Sequence, residues 1–147
     1  MTLNETDKKI LKNLLEDARF SSRQIAKRIG VSVGTVLSRI KKMEDIGLIK
    51  GYSAILDQEK LGYQLTVLTE VTVSRGKLVE MEAEIAKDPH VCGVYDITGL
   101  TDALIIAKFK SREDLGRFTK YLLSLPYLER TNTHVVLTTV KENFRLL

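Results

Sequence analysis

Thr35, Ser38, Arg39 and Lys42 are hydroxyls and cations spaced so that one helix would carry them together. Such side chains donate to phosphate oxygens and to base edges in a major groove. At 100° per residue from Val36, Ile40 falls at about 40° and Met43 at about −20°, which defines an apolar stripe. The four polar residues gather between about −60° and −160°, a second and separate stripe. No acidic residue stands between Gly30 and Glu44, and a carboxylate there would be repelled by phosphates. Arg39 suits a bidentate contact with guanine, and Lys42 suits a phosphate clamp. Ser32, Val33 and Gly34 open the segment, where an absent side chain at Gly34 lets free N–H groups approach a nucleic-acid backbone.

A second loaded stretch is Tyr95-Asp96-Ile97-Thr98-Gly99-Leu100-Thr101-Asp102. Gly99 permits a tight turn whose N–H groups can hold a carboxylate, and Asp102 offers a counter-charge to an ammonium; those are the two ends of an amino acid. The same residues also make an ordinary hairpin turn in which Asp102 accepts local backbone bonds. Elsewhere the ingredients of catalysis are poor. His90, Cys92 and His134 belong to no His-x-x-x-His pair, Cys-x-x-Cys pair, nucleophile elbow or phosphate-binding glycine loop. A surface position for His90 and core packing for Cys92 are the expectations, with no enzyme activity, no metal and no cofactor.

The elements that would position these groups follow from caps and periodicity. Asn4 caps a first helix with Asp7 three positions on, and Ile10, Leu11, Leu14 and Leu15 give it one apolar stripe before it ends near Asp17. Ser21 and Gln24 form a capping box for a short second helix, with Ile25 and Ile29 inward and Gly30 as its left-handed stop. Ser21, Ser22 and Arg23 are placed there to hold phosphates. Ser32 caps the third helix. Two helices meeting at a glycine-containing turn make a helix-turn-helix.

Charge distribution agrees. Of the 23 basic and 19 acidic residues, positions 1–50 hold eleven and six, a net +5, and the remainder is −1. Seven cations and no acid lie within residues 18–43 (Arg19, Arg23, Lys27, Arg28, Arg39, Lys41, Lys42), a field suited to a polyanion. The single cysteine excludes an internal disulfide. The opening MTLNETDKK lacks the marks of a signal peptide, and no apolar run reaches the ~20 residues of a membrane span, so a cytoplasmic setting is expected.

After Gly47 the chain runs LIKGYSAILDQEKLGYQ, in which Ile49, Tyr52, Ala54 and Leu56 hint at a strand within a linker. Beyond it, strand, helix and strand follow twice. Strands are expected over 65–73 and 102–109, and a helix over 77–87 with Leu78, Met81 and Ile85 inward and Glu80, Glu82 and Glu84 toward water. That order implies an antiparallel sheet with both helices on one face. The other face of so small a unit needs a cover, and a second subunit is the expected one.

The ordered set Asp7, Ile10-Leu11, Ile25-Ala26, Gly30-Val31-Ser32 with Val36, Arg39 and Ile40, then Gly47 to Tyr52, resembles the DNA-binding half of the Lrp/AsnC family of feast/famine transcription regulators. Leu61-Gly62-Tyr63 and Thr98-Gly99-Leu100-Thr101-Asp102 resemble its ligand-sensing half, so the likeness spans nearly the whole chain. Asn4 stands where the family often has aspartate, a capping exchange.

The resemblance implies an α+β chain: a winged-type helix-turn-helix over 1–50, a linker with a strand over 51–63, and a ferredoxin-like βαββαβ αβ-sandwich over 64–147. It implies binding of double-stranded DNA at a pseudo-palindromic operator by a homodimer that assembles into a tetramer of dimers. It also implies an effector, an amino acid, held between dimers by residues 98–102, with Tyr95 and Thr133 lining the cleft. The alternative is an architectural DNA-binding protein without an effector, which this loop would distinguish.

Overall fold

The computed structural model describes residues 2–147, which divide into two compact units: residues 2–55 with 142–147, and residues 56–141. The first holds helices α1 (Glu5–Glu16), α2 (Ser22–Ile29) and α3 (Val33–Asp45). Each begins where a side chain satisfies the orphan N–H groups of the first turn. Asn4 and Asp7 form a reciprocal capping box on α1, Ser21 and Gln24 do so on α2, and Ser32 accepts the Thr35 N–H on α3. Gly30, at φ 74, ends α2 in the left-handed region and turns the chain into α3. Ile10, Ile25, Ala26, Val36 and Met43 are buried together, with Ile29 and Ile40 packed against them. Leu11, Leu14 and Leu15 are only half-buried; with Leu48, Tyr52 and Ile55 they line an open apolar groove of ≈ 1150 Å³ in this unit.

Residues 51–57 depart from the expected strand: they form no regular element. A strand exists by pairing its backbone groups with a neighbour, and none of the strands among the described residues pairs with this segment. Turns at 58–62 follow.

The second unit is one sheet with two helices. Strands β1 (Leu65–Val73), β2 (Val91–Asp96), β3 (Ala103–Phe109) and β4 (Leu128–Val135) lie in the order β2-β3-β1-β4, all antiparallel, with α4 (Leu78–Ile85) after β1 and α5 (Arg112–Ser124) after β3. The period-2 alternation sends Val67, Val71 and Val73 of β1 and Ala103, Ile105, Ala107 and Phe109 of β3 to one face. There they form a core with Met81, Ile85, Phe118 and Leu122 of the helices. Leu68, Leu104 and Ile106 point the other way and remain partly exposed. α4 does not turn all its acids to water: Glu82 and Glu84 are half-buried, and Glu84 accepts from the Tyr121 hydroxyl at 3.3 Å.

The expected placing of His90 and Cys92 is reversed. His90 is half-buried, stacked on Phe109 at 5.0 Å and bonded to Asp88 at 2.9 Å, whereas Cys92 is exposed. A bulge between Val91 and Gly93 breaks the strand alternation at this point. No helix among the described residues is long and apolar enough to cross a membrane.

Candidate nucleic-acid interface and ligand loop

The seven cations of residues 18–43 do not share one fate. Arg19 pairs with Asp17 at 2.8 Å, and this bond holds the Asp17 carboxyl down at about 2. Arg28 lies 2.9 Å from Glu16, donates to Asn13 at 2.7 Å and covers the Phe20 ring at 4.3 Å. Its hydrogen bond lowers the Glu16 carboxyl, and the same bond raises the guanidinium. Arg39 approaches the buried Asp7, Nη1 to Oδ2 3.6 Å, and its side chain is 35% exposed. Arg39 is therefore not free for guanine alone. It stands at about −60° on the helix wheel, beside the buried stripe, which turns part of its guanidinium inward. Arg23, Lys27, Lys41 and Lys42 are exposed and form no ion pair among the described residues.

The hydroxyls are also partly engaged. Ser21 caps Gln24, Ser32 and Thr35 share a 2.8 Å bond, and Ser38 donates to the Thr35 carbonyl at 3.1 Å; Ser22 is half-buried. Val33 and Gly34 are exposed at the helix start. A Cβ on Gly34 would meet only Ser32 Oγ, at 3.9 Å, so nothing inside the subunit requires glycine there. Two residues join this surface that the polar-stripe reading left out. Lys41 is exposed at about 140° from Val36, next to Ser38, and Leu37, 55% exposed, stands at about 100°, on the other side of the buried stripe from Thr35. Their helical angles carried that signal, and an apolar side chain can meet a thymine methyl.

In the second unit, loop 97–102 leaves β2 and enters β3. Ile97 N–H donates to the Asp102 carbonyl at 3.0 Å, and Asp102 N–H to the Val71 carbonyl at 2.9 Å. Asp102 Oδ2 accepts the Val73 N–H at 2.7 Å, so the carboxylate expected to face an ammonium is engaged with β1. Thr98, Gly99 and Leu100 stand out in solvent, and Gly99 takes φ 128, where L side chains are strained. The Glu70 carboxyl is held low first by its hydrogen bond with His134, then by that of Asn132, with Thr101 a smaller influence. Glu70 Oε2 lies 3.1 Å from His134 and 3.0 Å from Asn132, a cluster joined only by strand pairing and invisible to local spacing.

Tyr95 and Thr133 are not brought together. Tyr95 pairs with Leu104 on the open face, its ring over Gly93, where a Cβ would stand 2.7 Å from it. Thr133 bonds the buried Thr69 at 3.1 Å on the helix side, on the opposite edge strand.

Three capped helices with an exposed cationic third helix, followed by a four-stranded sheet with a projecting loop, define a helix-turn-helix regulator with a ligand-binding domain. Sequence profiles concur: a winged helix-turn-helix DNA-binding profile matches residues 3–50, and the Lrp/AsnC ligand-binding domain matches residues 66–146. The chain is 51% identical, over 99% of both proteins, to an uncharacterised HTH-type transcriptional regulator of Pyrococcus furiosus. It is 38% identical to the regulator FL11 of Pyrococcus horikoshii over 98% of this chain and 95% of that one. Its fold is similar to that of a Neisseria meningitidis transcriptional regulator crystallised as an L-Met complex, with TM-score 0.91, 30% identity, and 99% and 97% of the two chains covered. The chain belongs to the Lrp/AsnC family of DNA-binding transcriptional regulators.

Proposed function

We propose that α3 enters a major groove with Thr35, Ser38, Lys42 and Lys41 outward, while Ser21, Ser22 and Arg23 on α2 and the α3 start at Ser32, Val33 and Gly34 hold phosphates. The observation that carries this is the set of four exposed cations, Arg23, Lys27, Lys41 and Lys42, unpaired among the described residues, beside a glycine that no internal contact requires. Two copies would place two such helices ~34 Å or a multiple apart on a pseudo-palindrome. Residues 51–63 link the DNA-binding part, 1–50, to the sensing part, 64–147, and the dimer assembles further into a tetramer of dimers. The half-exposed apolar face of the sheet supports a second copy as its cover. The protein would act in the cytoplasm, as a regulator and not an enzyme.

An amino acid is the effector we propose, held between dimers by Thr98, Gly99, Leu100, Thr101 and Asp102, with Tyr95 and Thr133 supplied from different copies because one subunit separates them. The L-Met bound to the Neisseria meningitidis regulator supports that class. The engaged carboxylate of Asp102 favours the rival reading, an architectural protein without an effector. Calorimetry and sizing of the oligomer with a panel of amino acids, with DNA affinity measured in parallel, decide between them. Heat from at least one amino acid, with a reciprocal change in DNA affinity of about 1 to 3 kcal/mol, supports the effector. No heat and no change in affinity or size supports the architectural protein.

A further inference from the structure

Asp7 is the only charged residue buried among those described. Its Oδ2 accepts the Asn4 N–H at 3.1 Å as the return half of the α1 capping box, while Oδ1 has no hydrogen-bond partner. Arg39, reaching across from α3, is the one cation within ion-pair distance of it among the described residues. A carboxylate withdrawn from water needs a cation close by. At 3.6 Å from Oδ2 the Arg39 Nη1 is an ion-pair neighbour and not a hydrogen-bond donor, so the buried charge draws the rigid guanidinium plane, with its five N–H donors, toward the α1 side of the flank. About a third of the Arg39 side chain stays exposed, at the border of the polar flank of α3. An arginine already held in place loses less conformational freedom when it binds.

We propose that Asp7 is a positioning residue for DNA recognition: its buried carboxylate holds the Arg39 guanidinium at the edge of α3, so that the remaining N–H donors meet the duplex in a fixed orientation. This rests on the reading of the α3 flank as DNA-facing. It assigns a functional part to a residue of α1, whose own exposed face is not needed for contact.

The test uses full-length protein, a duplex selected by the native protein from a random-sequence pool, and affinities at several salt concentrations. Asp7→Asn keeps an acceptor for the Asn4 N–H, and Arg39→Gln keeps a donor near Asp7 while removing the charge. Arg39→Gln is expected to lower affinity about tenfold. Asp7→Asn should lower it about fivefold with an unchanged salt slope, because the Arg39 charge remains. In the Arg39→Gln background, Asp7→Asn should have no further effect. Unchanged affinity in Asp7→Asn, or the same loss in both backgrounds, overturns the proposal. If Arg39→Gln does not fold, Arg39→Lys, which lacks the planar fork, replaces it under the same prediction. Lys42→Ala separates the two claims. If it flattens the salt slope while Asp7→Asn changes nothing, the positioning role alone fails; if it leaves the slope untouched, the reading of the flank fails.

Discussion

The carboxylate of Asp102 accepts the backbone N–H of Val73 at 2.7 Å, fastening the base of loop 97–102 to the end of β1. Val73 is buried, so removing the acceptor strands a donor away from water, at a cost of about 1–2 kcal/mol. Asp102→Ala should destabilise the second unit by that amount in urea denaturation, with no effector present. Asp102→Asn, which keeps an acceptor oxygen, should recover most of the loss. Equal losses in both would show that the bond is not the source.

Gly99 gives a complementary prediction. Nothing lies within 4 Å of a Cβ there, but φ is 128, and a non-glycine residue in that region is strained by roughly 1–3 kcal/mol. Gly99→Ala should therefore reshape an exposed loop without disturbing the core. Effector heat in calorimetry should fall while DNA affinity without effector stays at the native value. Undiminished effector binding would remove Thr98, Gly99 and Leu100 from the site.

The helix starts carry a third prediction. Ser21 Oγ accepts the Gln24 N–H at 3.2 Å, and Ser21→Ala should cost about 1 kcal/mol. Gly30→Ala, at φ 74, should cost roughly 1–2 kcal/mol because the Cβ enters a left-handed conformation. Urea titration followed by helical circular dichroism would measure both. A stabilised Gly30→Ala variant would contradict the turn geometry.

These caps explain why so much of the first unit is legible in the sequence. Asn4 with Asp7, Ser21 with Gln24, and Ser32 with Thr35 each act over three positions, so spacing alone reveals them. The strands of the second unit are legible because Val67, Val71 and Val73 alternate with half-exposed neighbours. What is not legible is nonlocal. Arg39 looks free until α1 brings Asp7 beside it, and the backbone bond that Asp102 accepts comes from Val73 of β1 rather than from within its own turn. Tyr95 and Thr133, which the family resemblance puts along one cleft, lie on opposite edges and faces of a single subunit's sheet, a separation set by strand order. The strand expected around Tyr52 is absent because strand propensity cannot supply a pairing neighbour.

Tyr52 yields a prediction in pH. Loss of solvent around its ring, followed by the hydrogen bond to Glu44 Oε1 at 2.9 Å, raises its hydroxyl to about 12. The unfolded value is 10.0, so folding favours the protonated form. This contribution to stability is complete below pH 10 and is lost as pH rises toward 12. An ultraviolet titration of phenolate should show a late component to which Tyr52 and the raised Tyr121 both contribute, and Tyr52→Phe should diminish it by one tyrosine. A native titration without a late component would contradict the bond.

The most direct measurement of the α3 surface is the slope of log affinity for duplex DNA against log salt, compared between Lys42→Ala and Lys12→Ala. Both lysines are exposed, one on the outer flank of α3 and one on α1. Loss of one phosphate contact per copy should flatten the slope by about 1 for Lys42→Ala, or about 2 for a bound dimer, and Lys12→Ala should leave it at the native value. A native slope in Lys42→Ala, or an equal change in Lys12→Ala, would contradict the assignment of that flank to DNA.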